Sequence, residues 1–136
     1  MIDEVEIQQT ISRYHEGGST SDFDQLIDTF LPDGVWEVPA LQILSRGRDD
    51  IRSAMTALMA SVEYLVQINA PAVITVDGDR ASARTLIREA AKFRDQPGLM
   101  DVVGQYHDEL ERTADGWKFA HRRFTILGTH ISAPLA

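Results

Sequence analysis

The sequence predicts an α+β domain, with three helices followed by a meander of long antiparallel strands. Three observations predict it. Apolar residues recur at helical spacing up to about Val62, and at a period of two after it. Asp77-Gly78-Asp79 and Ala114-Asp115-Gly116 carry turn chemistry between extended runs. A chain of 136 residues has the length of one domain and can bury a core without staples.

The first helix is predicted from Asp3, which caps it with Glu6 three residues on. Ile7, Ile11 and Tyr14 form its apolar stripe, and Gly17-Gly18-Ser19-Thr20-Ser21 breaks it. Asp22 caps a second, short helix in which Phe23, Leu26, Ile27 and Phe30 make one apolar face. Pro32-Asp33-Gly34 ends that helix, and Val35 to Val38 read as a short strand closed by Pro39. Residues 40–48 read as a loop. A third helix follows, capped at Asp49 or Asp50, with Ile51, Met55, Leu58, Met59 and Val62 inward. Tyr64 to Val76 is extended, with Pro71 at an edge or bulge. Arg80 to Phe93, residues 101–112 and Trp117 to Leu127 are the remaining strands, and the tail from Gly128 is weakly patterned.

Composition excludes several classes of function. With no cysteine there is no disulfide, thiolate metal site or cysteine nucleophile. The formal charge of −8 repels nucleic acid and anionic membranes. The four histidines lie too far apart for a metal-binding spacing, so neither a metal nor another cofactor is expected. The acidic, polar start MIDEVEIQQT does not read as a signal peptide, and no apolar run is long enough to span a bilayer. The expected location is cytoplasmic.

Strand parity supplies the candidate chemistry. Tyr106, Asp108 and Leu110 share one face of their strand, and His107, Glu109 and Glu111 share the other. Apolar company marks the first face as inward, where desolvation raises a carboxyl pKa. The alternative for Asp108 is a rim carboxylate paired with Arg88, Arg122 or Arg123. His107 and His121 are the bases suited to neutral pH. His121 has the parity of Trp117 and Phe119, which turns it toward the cavity, whereas His107 faces inward only if a β-bulge intervenes. The alternative for each is a surface or structural histidine, and His15 and His130 read as exposed.

The order of elements resembles the SnoaL-like branch of the nuclear-transport-factor-two-like superfamily. Ser12-Arg13-Tyr14, Asp22-Phe23-Asp24 with Phe30 to Glu37, Val76 to Ala81, and Gly104 to Arg112 with Asp115 to Phe119 carry the likeness. The resemblance implies a curved sheet wrapped around helices as a cone, with an internal pocket for a small hydrophobic, aromatic or polycyclic molecule. It also implies cofactor-independent proton transfer of the isomerase or dehydratase kind, and a homodimer formed through the outer face of the sheet. Tyr14 falls where ketosteroid isomerase places its oxyanion-stabilising tyrosine, and isomerase-like members carry an aspartate near Asp108. Trp36, Phe93 and Tyr106 would wall the pocket, and Gln67 and Asn69 would orient a polar ligand. Val38 stands where the isomerase has its shuttling aspartate, and Gln67 where dehydratase members have a histidine. The partner aspartate of that histidine falls among Gly18, Ser19 and Thr20. These departures favour the alternative of a non-catalytic binding or dimerisation domain. A third possibility, a structural partner subunit, lacks the long extensions such subunits show.

Overall fold

The computed structural model describes residues 2–132. Three helices, α1 (Ile2–Thr20), α2 (Phe23–Asp28) and α3 (Arg48–Met59), pack against a curved, open, mixed sheet. Its strands are β1 (Phe30–Val38), β2 (Ile43–Arg46), β3 (Val62–Asn69), β4 (Val73–Asp77), β5 (Arg80–Phe93), β6 (Leu99–Thr113) and β7 (Gly116–Ser132). They run in the order β2-β1-β7-β6-β5-β3, with β4 also on β5. Among the described residues only β1 and β7 pair in parallel. No helix among the described residues is long and apolar enough to cross a membrane.

Several boundaries differ from the sequence reading, each for a local reason. α1 runs through Gly17 and Gly18 and stops at Ser21, whose φ of 58° leaves the helical region. Gly17 is there for close packing, since a Cβ at that position would lie 2.9 Å from the Asp22 carbonyl oxygen. Thr29 ends α2, so Phe30 opens β1, and Pro32-Asp33-Gly34 form an irregular stretch within that strand. The expected loop at 40–48 contains β2, which pairs antiparallel with β1. α3 is capped by Gly47, while Asp49 and Asp50 occupy its first turn, where they complement the helix dipole. Tyr64 to Val76 divides into two strands that share β5: β4 pairs with its first half and β3 with its second. β7 continues past Leu127 to Ser132, with Ile131 opposite Met100 of β6.

The core fills the space between the helices and the inner face of the sheet. Ile7, Ile11, Phe30, Ile51, Leu110 and Phe119 are fully or almost fully buried there. Trp117 is buried and donates its indole N–H to Asp3 Oδ1 at 3.2 Å, with Arg112 stacked on its ring. It thereby ties β7 to α1. Inward alternation along β5 and β6 follows the period of two.

β7 departs from that alternation. Between Phe119 and His121 it carries one residue more than β6 does: Leu110 faces Phe119 and Glu109 faces His121, so Ala120 is the extra residue of a bulge. Beyond the bulge the parity is reversed. His121 turns to the outer face, and Arg122 turns into the core, where it is 0% exposed.

Candidate functional site

The helices and the inner face of the sheet enclose a cavity of about 360 Å³. Trp36, Val38, Leu65, Phe93, Val102 and Phe124 give it apolar walls. The polar side chains that line it are Tyr14, Tyr106, Gln67, Glu89 and Thr129, together with Trp36, whose buried indole N–H has no hydrogen-bond partner among the described residues. Gly104 makes room for one wall: a Cβ there would lie 2.3 Å from the Phe124 ring, which packs 4.7 Å from Tyr106.

Tyr14 reaches the cavity from the last turns of α1, and Tyr106 from the middle of β6. Their hydroxyl oxygens are 3.2 Å apart. One donates to the other, and the acceptor's own proton stays free for a third group. Burial pushes both phenols above the ordinary tyrosine range. The Arg122 guanidinium opposes that push, lying 4.2 Å from the Tyr14 ring centre and 3.8 Å from that of Tyr106.

Asp108 faces the core, but Arg122 holds it. Nε donates to Oδ1 at 2.9 Å and Nη2 to Oδ2 at 3.3 Å, and neither side chain is exposed. The pairing with Arg122 is thus one of the alternatives the sequence left open, though in the core instead of at the rim. Burial pushes the Asp108 carboxyl up, against the pull of Arg122. The residue does not line the cavity.

The second hydrogen of Arg122 Nη2 points to His15 Nε2 at 3.3 Å. A guanidinium only donates, so Nε2 must accept and the imidazole proton sits on Nδ1. Nδ1 then donates to Gln67 Oε1 at 2.7 Å, and Gln67 Nε2 donates to Glu89 Oε1 at 3.1 Å. One continuous chain runs from Arg122 to Glu89. Every hydrogen bond in it points toward the carboxylate. Burial, reinforced by Arg122, holds His15 neutral, with its pKa lowered to about 3. Burial also pushes the Glu89 carboxyl above the usual glutamate range.

The structure therefore brings together Tyr14, Trp36, Gln67, Phe93 and Tyr106 on one cavity. Asn69 does not join them. It shares the parity of Gln67 but lies at the end of β3, outside the cavity wall. His107 and His121 line a separate groove on the outer face of the sheet, where His121 Nε2 lies 2.9 Å from Glu37 Oε2. His121 is there because of the bulge at Ala120, and His107 keeps the outward parity of β6 because the extra residue at each β6–β7 irregularity, Leu127 and Ala120, lies on β7. His130 is exposed, as expected, whereas His15, also expected to be exposed, is 2% exposed.

The family model for the SnoaL-like domain matches residues 1–123. The chain belongs to the SnoaL-like family. A Novosphingobium aromaticivorans structure provisionally named an aromatic ring hydroxylase is 26% identical, with a TM-score of 0.87 over 97% of this chain and 93% of that one. Another from the same organism, provisionally named a scytalone dehydratase, is 18% identical, with a TM-score of 0.86 over 97% and 91%. The hexachlorocyclohexane dehydrochlorinase LinA-type3 of Novosphingobium barchaimii is 14% identical, with a TM-score of 0.88 over 96% and 90%. The last two share the fold. Within this SnoaL-like domain, Gln67 and Glu89 stand opposite one another in register across β3 and β5, so their side chains share the cavity face.

Proposed function

We propose that this SnoaL-like protein is a cofactor-independent enzyme that moves a proton on a hydrophobic, ring-containing molecule bearing an oxygen. The net reaction would be an isomerisation, a dehydration or a related elimination. The observation that carries this reading is the Tyr14–Tyr106 hydroxyl pair, 3.2 Å apart in an otherwise largely apolar cavity. Such a pair can receive the negative charge that develops on a substrate oxygen as a neighbouring C–H bond breaks. The stacked Arg122 lowers the cost of that charge. Asp108 acts by position, holding Arg122 in place. A cavity of about 360 Å³ is near the small end for ligand pockets and suits one or two rings. The fold shared with proteins named for dehydration and dehydrochlorination supports the reaction class.

The test uses 2-tetralone, a two-ring ketone, in D2O. Its α-protons exchange visibly by NMR, whatever the natural substrate is. Tyr14→Phe should slow protein-catalysed exchange about 100-fold, the usual cost of one oxyanion donor, while changing 2-tetralone affinity far less. Equal losses in both would favour a binding module without catalysis.

The protein is further proposed to pair as a homodimer through the outer face of the sheet, where Val66, Ile68, Leu86, Val103 and Leu127 are exposed. Light scattering should give about twice the chain mass of 15.2 kDa. A value near 15.2 kDa across a wide concentration range would remove the proposal.

A further inference from the structure

We infer that Glu89 is the residue that takes and returns the proton in this cavity. The inference rests on the proton-transfer reading above and names the group that reading leaves open. Among the described residues, Glu89 is the only carboxyl on the cavity wall, and no histidine or lysine shares that wall. Every other ionisable group of the wall is a phenol.

The surroundings of Glu89 differ from those of Asp108. A fully buried carboxylate is ordinarily paired with a cation, as Asp108 is with Arg122, whereas Glu89 is half-buried on the cavity wall. Glu89 has no cation against it among the described residues. Its one hydrogen-bond partner among the described residues is the neutral Gln67 amide on Oε1, and Oε2 stays open to the cavity and solvent. An amide N–H can donate equally to a carboxylate oxygen or to the carbonyl oxygen of a carboxylic acid. Glu89 can therefore gain and lose a proton without rearrangement of its neighbours. A cation would have locked it in the charged form.

The chain Arg122–His15–Gln67 fixes this geometry from behind. His15 cannot flip without placing carbon in both hydrogen-bonding positions and losing Arg122 and Gln67 as partners, and Gln67 cannot flip without presenting its oxygen to Glu89. His15 and Gln67 are positioning residues in this scheme. The negative charge of Glu89 is felt at both phenols and raises them further. The carboxyl and the hydroxyl pair thus act on one volume.

The step balances without a co-reactant. A Glu89 oxygen takes the proton from the carbon beside the substrate carbonyl. The C–H electron pair becomes the C=C bond of an enolate, and the carbonyl π electrons move to the oxygen held by Tyr14 and Tyr106. The Glu89 proton then returns to the same carbon or to a conjugated one. In an elimination, the enolate instead expels a β-leaving group with its electron pair, and Glu89 gives up its proton to the departing group or to water.

The deciding experiment compares the unaltered protein with Glu89→Gln and Glu89→Asp in the 2-tetralone exchange assay across pD, with urea denaturation alongside. Glu89→Gln should slow exchange about 100-fold or more, as for loss of a general base, and abolish its pD dependence. Its affinity for 2-tetralone should stay within about twofold. Its stability at neutral pH should equal or exceed that of the unaltered protein, because a partly desolvated charge with no cation beside it is removed. Glu89→Asp should recover part of the exchange. Exchange at the unaltered rate in Glu89→Gln would overturn the assignment and leave the proton-transfer reading standing. A Glu89→Gln protein that is less stable or unfolded would make Glu89 structural and also overturn it. If the unaltered protein binds 2-tetralone without exchanging its protons, both readings fall.

Discussion

Asp108→Ala is expected to leave much of the protein unfolded under conditions in which the unaltered chain is folded. The reason lies in its partner. Arg122 is fully buried, and its Nη1 has no hydrogen-bond partner among the described residues, so the cation depends on the bidentate contact with Asp108. Removing one member of a buried ion pair typically costs about 3–5 kcal/mol, because the remaining charge stays buried and uncompensated. Domain stability is about 5–15 kcal/mol in total. Arg122→Met should cost less than Asp108→Ala, since a protonated Asp108 can remain in the core as a neutral acid. Combining Asp108→Leu with Arg122→Met should be milder than the two single losses together, because an apolar pair carries no desolvation cost. Urea denaturation followed by far-ultraviolet circular dichroism measures all of these. A cost below about 1 kcal/mol for Asp108→Ala would mean that the pair is solvated.

His15 is expected to govern the acid limb of stability. In the folded protein its imidazole resists protonation until about pH 3, because it is buried beside Arg122. In the unfolded chain it takes a proton near pH 6.5. Between those values the unfolded state binds more protons, so stability falls as pH falls. The contribution is fully present above pH 6.5 and is lost progressively toward pH 3. At about 1.4 kcal/mol per pH unit the loss has a ceiling of roughly 4–5 kcal/mol. Glu89 works in the opposite sense. Its carboxyl is raised, so the folded state binds that proton first, and this offsets part of the loss. His15→Asn should therefore flatten the decline of stability between pH 6 and pH 4. The unaltered imidazole should show no NMR titration above about pH 4. A His15 that titrates near pH 6.5 would contradict the burial and the direction of its hydrogen bonds.

Much of this was legible in the residues, and where it was not the cause is local. The strand Arg80 to Phe93 is bounded as its alternation requires, and the inward parity of Tyr106, Asp108 and Leu110 follows from their neighbours. The same alternation in β5 carries Glu89 inward with Ala81, Ala83, Ile87 and Ala91. One charged residue in an apolar series was a signal available to sequence reading. His15 was also within reach. It follows Ile7 and Ile11 at intervals of four, and a helix held in a concave sheet buries a wider arc than one stripe. The bulge at Ala120 was not legible. Nothing in Phe119-Ala120-His121 distinguishes an extra residue from regular alternation, yet it exchanges a cavity-facing histidine for a core arginine. The outcome for His121, Arg122 and Asp108 depended on that single residue. β2 and the irregular opening of β1 were hidden because Pro32, Gly34 and Pro39 read as punctuation, and only the pairing of β1 with β7 and of β2 with β1 makes these stretches extended.

The central claim, that the Tyr14–Tyr106 pair receives a ligand oxygen in an otherwise largely apolar cavity, is tested most directly by a crystal structure with 2-naphthol, a stable mimic of the enol of 2-tetralone. The account predicts the naphthol rings among Trp36, Phe93 and Phe124, and the naphthol oxygen about 2.5–3.0 Å from at least one of the two tyrosine hydroxyls. A naphthol bound with its oxygen turned away from an undisturbed tyrosine pair, or bound only in the outer groove beside His107 and His121, would contradict it.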